Sequence, residues 1–169
     1  MKNTRTRKLT QGALIAALYV VLTVLQNLLL PGSASMAVQF RVSEALCVLA
    51  LFTPSAIWGL SLGCLLFNLT YSGALPLDWF VGTAATALAA MAMHQLRDIR
   101  IKKLPAPAML MPALANALLV GGELTIYIGN SIWFNMACVA IGEVVVLFTL
   151  GTALYFALIP VKDRLFPKN

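Results

Sequence analysis

Charge is scarce in this chain. Twelve basic and six acidic residues make up 11% of its 169 positions, where a soluble domain carries roughly 25%. That shortage excludes an ordinary soluble domain. Histidine occurs once and cysteine three times, at Cys47, Cys64 and Cys138. The cysteines lie in apolar stretches without metal-type spacing, so they read as free, buried, small side chains. No metal site is expected. A Walker lysine motif is absent, as are His-Glu-x-x-His and Cys-x-x-Cys patterns. No catalytic residue and no cofactor are therefore expected, and a transport or binding role outranks an enzyme role. Cleavable signal features are lacking too: the first apolar segment is too long for a signal core and has no cleavage site before Pro31.

What remains is apolar sequence, 60% of the chain at a mean hydropathy of +0.87. Eleven of the twelve Lys and Arg residues fall in three clusters: Lys2/Arg5/Arg7/Lys8, Arg97/Arg100/Lys102/Lys103 and Lys162/Arg164/Lys168. Cationic clusters bounded by apolar runs mark cytoplasmic flanks of membrane helices rather than nucleic-acid contacts. Punctuation by Pro and Gly divides the chain into six helices, at about 9–30, 40–52, 56–71, 78–96, 105–128 and 133–158. Four precede the middle cluster and two follow it. Both counts are even, as three clusters on one side of a membrane require. The expectation is a single all-α membrane domain over 1–169, with six transmembrane helices and both termini cytoplasmic.

This topology assigns a depth to each polar residue. Gln39, Arg41 and Glu44 fall at the outer end of the second helix, and Asn68 in the outer part of the third. Asp78 and Trp79 open the fourth helix. Asn116, Glu123 and Tyr127 follow in the fifth, with Trp133, Asn135 and Glu143 in the sixth. The inner half is nearly all apolar. The asymmetry predicts a polar cavity that opens outward and is sealed below. Each residue has a plainer role as well. Arg41 and Glu44, three apart on one helical face, can neutralise each other. Asp78 suits a helix cap. The aromatics suit an interfacial belt, and the asparagines suit links between helices. Glu123 and Glu143 resist this account, because a lone carboxylate at membrane depth is costly. A ligand rich in N–H donors would satisfy them. Ala13 and Ala17 form a small-xxx-small stripe in the first helix, suited either to internal packing or to a partner.

The stretch Gln39-Phe40-Arg41-Val42-Ser43-Glu44-Ala45-Leu46 resembles the signature of the QueT family. So do the Gly142-Glu143 step and the Asn116…Glu123 spacing. That family comprises substrate-binding S components of energy-coupling-factor (ECF) transporters for queuosine precursors. The resemblance implies a six-helix S component in the bacterial plasma membrane. Its substrate would be a 7-deazaguanine: queuine, preQ0 or preQ1. The loop 31–39 would act as a lid. Ala13 and Ala17 would dock onto a transmembrane coupling subunit, which works with two ATPase subunits. Three alternatives stand beside it: an S component for another vitamin-like substrate, a self-sufficient proton-coupled carrier, and a membrane enzyme.

Overall fold

A computed structural model describes residues 4–31, 33, 40–71 and 76–166. The candidate Gln39 and most of the expected lid lie outside the described residues. These residues form no strand, only an isolated bridge between Ile101 and Leu104. Six helices are counted: α1 Thr4–Leu29, α2 Val42–Leu51, α3 Ser55–Thr70, α4 Val81–Gln95, α5 Met111–Ile128 and α6 Ile132–Leu165. Spans long and apolar enough to cross a bilayer are Arg5–Leu29, Ala106–Ile128 and Ile132–Leu165, while Val42–Leu51 and Ser55–Thr70 are shorter apolar helices. On α1, Leu14, Leu18, Val21 and Leu25 point outward, as side chains facing lipid do.

The second helix departs from the α-helix expected there. Val42–Leu51 is a 3₁₀ helix of ten residues. At a rise of roughly 2.0 Å per residue it is about 20 Å long, a third longer than the same residues would be as an α-helix. Every residue from Ser43 to Leu51 is buried. Its neighbours are α1, α3, α4 and α6, so it forms the axis of the bundle. Three residues per turn also set Arg41, Glu44, Cys47 and Ala50 in one column. The core around this axis includes Tyr19, Leu60, Cys64, Met93, Met109 and Leu147. All three cysteines are free and buried.

Two helix ends also differ from expectation. Asp78 is not the N-cap of α4: it lies in a 3₁₀ turn, Pro76–Trp79, and α4 begins at an N-cap Phe80 without a side-chain cap. At the other end of the chain, α6 passes through Pro160 instead of stopping before it. Pro160 sits at the start of a 3₁₀ turn, Ile159–Val161, where a proline's missing N–H leaves no bond unmade. Gly129 closes α5 with φ +75, a left-handed conformation suited to glycine.

Internal close packing is carried by α1 and α3. A Cβ on Gly63 would lie 2.7 Å from Tyr19 Cβ and 2.9 Å from the Ala16 carbonyl oxygen, and one on Gly59 would lie 2.6 Å from the Gly12 carbonyl oxygen. Ala13 and Ala17, by contrast, are exposed on the other face of α1. Gly63→Val should therefore lower thermal stability by about 1–3 kcal/mol through overpacking, whereas Ala17→Val should leave it nearly unchanged. Unfolding of the two variants in the same detergent checks this; equal stability would place the contact elsewhere.

Candidate functional site: a buried acidic cluster around Arg41

Arg41 enters α2 in extended conformation, φ −80 and ψ 98. It is the sole basic residue outside the three clusters, and it is buried. Its guanidinium lies within electrostatic reach of Glu44 and Asp78, of Glu123 and of Glu143. Four of the chain's six acidic residues thus surround one cation, and all four are buried.

Glu44 is held from within the protein. Tyr19 Oη donates to its Oε1 at 2.8 Å, and Cys47 Sγ donates to its Oε2 at 3.1 Å. The second bond follows from the 3₁₀ column that stacks residue 47 on residue 44. Beside it, Thr23 Oγ1 donates to Ser43 Oγ at 2.8 Å. Gln26 receives the Val42 N–H at 2.8 Å and donates to the Phe40 carbonyl and to Ser33 Oγ. Tyr19, Thr23 and Gln26 were missed by the sequence reading. Their signal was present: polar side chains at steps of four and three on one face of an apolar helix.

Asp78 is placed by its backbone. Asn68 Nδ2 donates to the Asp78 carbonyl at 2.9 Å. A Cβ on Gly82 would lie 3.1 Å from that amide nitrogen, so glycine there admits the Asn68 side chain. The Asp78 carboxylate lies beside that of Glu123, and neither Glu123 oxygen meets an N–H or O–H donor.

Helices α5 and α6 supply the rest. Gly121 permits their close approach, since a Cβ there would lie 2.8 Å from Met136 Cα. Asn116 Nδ2 donates to Glu143 Oε1 at 2.8 Å, and Asn135 Nδ2 donates to Thr125 Oγ1 at 3.1 Å. Asn116 Oδ1, Asn135 Oδ1 and Glu143 Oε2, like both Glu123 oxygens, are buried without a donor. These orphaned atoms are all acceptors. Buried acceptors without donors lose about 1–3 kcal/mol each, so the cluster is chemically matched to a ligand carrying several N–H groups. Directly after Glu143 and Val146, α6 loosens into a π-turn at Leu147–Gly151, a distortion frequent near functional sites.

The aromatic candidates stand apart. Trp79 is 40% exposed, Tyr127 41% and Trp133 76%. Arg41, Glu44, Asn68, Asp78, Asn116, Glu123, Asn135 and Glu143 are brought into the buried interior, and the three aromatics are left at its edge. The polar residues expected to line an outward-opening cavity form a buried cluster. Among the described residues no group of three or more His, Cys, Asp or Glu side chains is arranged for a metal.

Tyr19→Phe removes the donor to Glu44 Oε1 and leaves a buried carboxylate oxygen bare. It should cost about 1–3 kcal/mol of stability. A melting temperature equal to that of the unmodified protein would contradict the assigned bond.

Comparison with known proteins gives one family. The model described as QueT transporter matches residues 9–160. The chain is also 37% identical over 71 residues to the protein named Queuosine precursor transporter QueT from Lactococcus lactis subsp. cremoris (strain MG1363). That alignment covers 40% of this chain and 39% of the relative. No solved structure matches the chain.

Proposed function

The chain belongs to the QueT transporter family, and from that premise we propose that it is the substrate-binding S component of an ECF transporter importing a 7-deazaguanine queuosine precursor. Its family and its apolar spans make it a multi-pass protein of the cell membrane. The relative's name supplies the substrate class. The observation that carries the reading is the set of five buried acceptor oxygens on Asn116, Glu123, Asn135 and Glu143. A 7-deazaguanine presents N1–H and 2-NH2 as adjacent donors, and a carboxylate accepts both at once. An aminomethyl ammonium, as on preQ1, takes a second carboxylate. Its O6 takes a donor such as Arg41.

In this reading six helices span the bilayer with both termini inside, and the acidic cluster faces outward. Trp79, beside Asp78, is the aromatic best placed to stack on the base; Tyr127 and Trp133 belong to the interfacial belt. The exposed Ala13 and Ala17 receive the coupling subunit, and the two ATPases power release. The adjacent carboxylates of Asp78 and Glu123 favour one rival, a proton-coupled carrier, because two neighbouring carboxylates readily share a proton. Uptake that depends on ATPase subunits and resists a proton uncoupler rejects that rival.

Mass spectrometry of the small molecule copurifying with the protein tests the substrate. A 7-deazaguanine is expected, and another vitamin-like compound would overturn the assignment. Glu143→Gln keeps an acceptor for Asn116 and removes a buried charge, so folding should be preserved. Affinity for the base should fall by about 2–5 kcal/mol, the scale for truncating a buried charged contact. Calorimetric titration measures it, and unchanged affinity excludes a direct role.

Ala13→Trp or Ala17→Trp should abolish copurification with the coupling subunit while leaving ligand affinity intact. Close approach of small side chains, rather than hydrophobicity, drives helix association in lipid. A variant that still copurifies normally rejects the docking role.

A further inference from the structure

The three basic clusters, separate in sequence, converge on one pocket at the end of the bundle opposite the acidic cluster. Its volume is about 490 Å³. Arg7 and Lys8 reach it from the start of α1, Arg97 and Arg100 from beyond the end of α4, and Lys162 from the end of α6. Asp98 and Asp163 also line it, so five cations face two carboxylates. The wall is built rather than incidental. His94 meets the Ala50 carbonyl through Nδ1 at 2.6 Å and Arg97 Nη1 through Nε2 at 2.8 Å. A carbonyl only accepts and a guanidinium only donates, so His94 carries its proton on Nδ1. It thereby ties Arg97 to the last turn of α2. Gln11 Nε2 donates to the Leu165 carbonyl at 2.8 Å, joining the two ends of the chain across the pocket. Below the cations lies an aromatic floor, with Phe52 stacked on Tyr155 and on Phe166 at centroid distances of 5.7 and 6.0 Å.

We propose that this pocket binds a phosphate group, supplied by an anionic phospholipid whose headgroup enters between α1, α4 and α6. The excess of cations selects an anion, and several Lys and Arg side chains from different helices match a phosphate. Helix ends lie at headgroup depth in a membrane protein, where basic pockets between helices attract anionic lipids. Exposed apolar residues beside the pocket, Leu9, Ile99, Ile101 and Leu165, give the acyl chains a surface that a soluble anion would not need. The bound lipid would tie the ends of three helices together.

The test is the melting temperature of the full chain in detergent, titrated with phosphatidylglycerol, phosphatidylcholine or inorganic phosphate. Phosphatidylglycerol should stabilise saturably and phosphatidylcholine should not. The triple variant Arg7→Gln/Arg100→Gln/Lys162→Gln should weaken the lipid's apparent affinity at least tenfold. The triple variant Lys102→Gln/Lys103→Gln/Arg164→Gln removes the same charge outside the pocket and should change it less than threefold. The single variant Lys8→Gln, at an exposed position, should weaken binding by a few-fold even if the first triple variant does not fold. Equal losses in the two triple variants, or no loss in Lys8→Gln, would reduce the effect to diffuse charge and overturn the site. Full stabilisation by inorganic phosphate alone, with no further gain from lipid, would overturn the lipid as its source.

Discussion

Burying one guanidinium among four carboxylates constrains everything else in this protein. An isolated charge is expensive to remove from water, and the expense falls only when charges meet opposite charges and hydrogen-bond donors. Arg41 offsets part of the cost for Glu44, Asp78, Glu123 and Glu143 together. Glu44 is completed by Tyr19 and Cys47, and one oxygen of Glu143 by Asn116. The acceptors left without a donor, on Asn116, Glu123, Asn135 and Glu143, lie on α5 and α6. Helices α1 and α2 therefore form the finished side of the cluster, and α5 and α6 form the side that matches a donor-rich molecule.

The 3₁₀ helix α2 makes this arrangement possible. Its tighter winding stretches ten residues further through the bundle than an α-helix would. Its threefold repeat keeps Arg41, Glu44, Cys47 and Ala50 in register. One end of the column enters the acidic cluster. The other ends at the Ala50 carbonyl, which His94 caps. The two chemically distinct ends of the molecule, acidic and basic, are thus connected by a single buried element. Membership of the QueT transporter family gives that polarity a context: the proposed ligand cluster at one end and a cationic collar at the other.

Several of these features could be read along the chain. The shortage of charge and the length of the apolar runs identify a membrane protein, because a bilayer admits few ionisable groups and requires continuous helices. Arg41 stood out as the lone cation away from the clusters, and Glu123 and Glu143 as carboxylates without local partners. Their joint burial around Arg41 follows that logic. Tyr19, Thr23 and Gln26 were overlooked because a few polar residues on a long apolar helix look the same whether they face lipid, a neighbour or a site.

Composition and pattern alone determined the membrane class, the positions of most helix breaks and the suspicion attached to Arg41, since these depend on local hydropathy and on Pro and Gly chemistry. Tertiary structure decided which partners each polar group received. The winding of Val42–Leu51 as a 3₁₀ helix is one such decision, because an apolar run bounded by turn residues is compatible with either winding and only its enclosure selects between them. The withdrawal of the aromatics to the edge is another. The meeting of three distant basic clusters in one pocket is a third, because proximity between residues 7, 97 and 162 arises from helix packing and not from spacing along the chain.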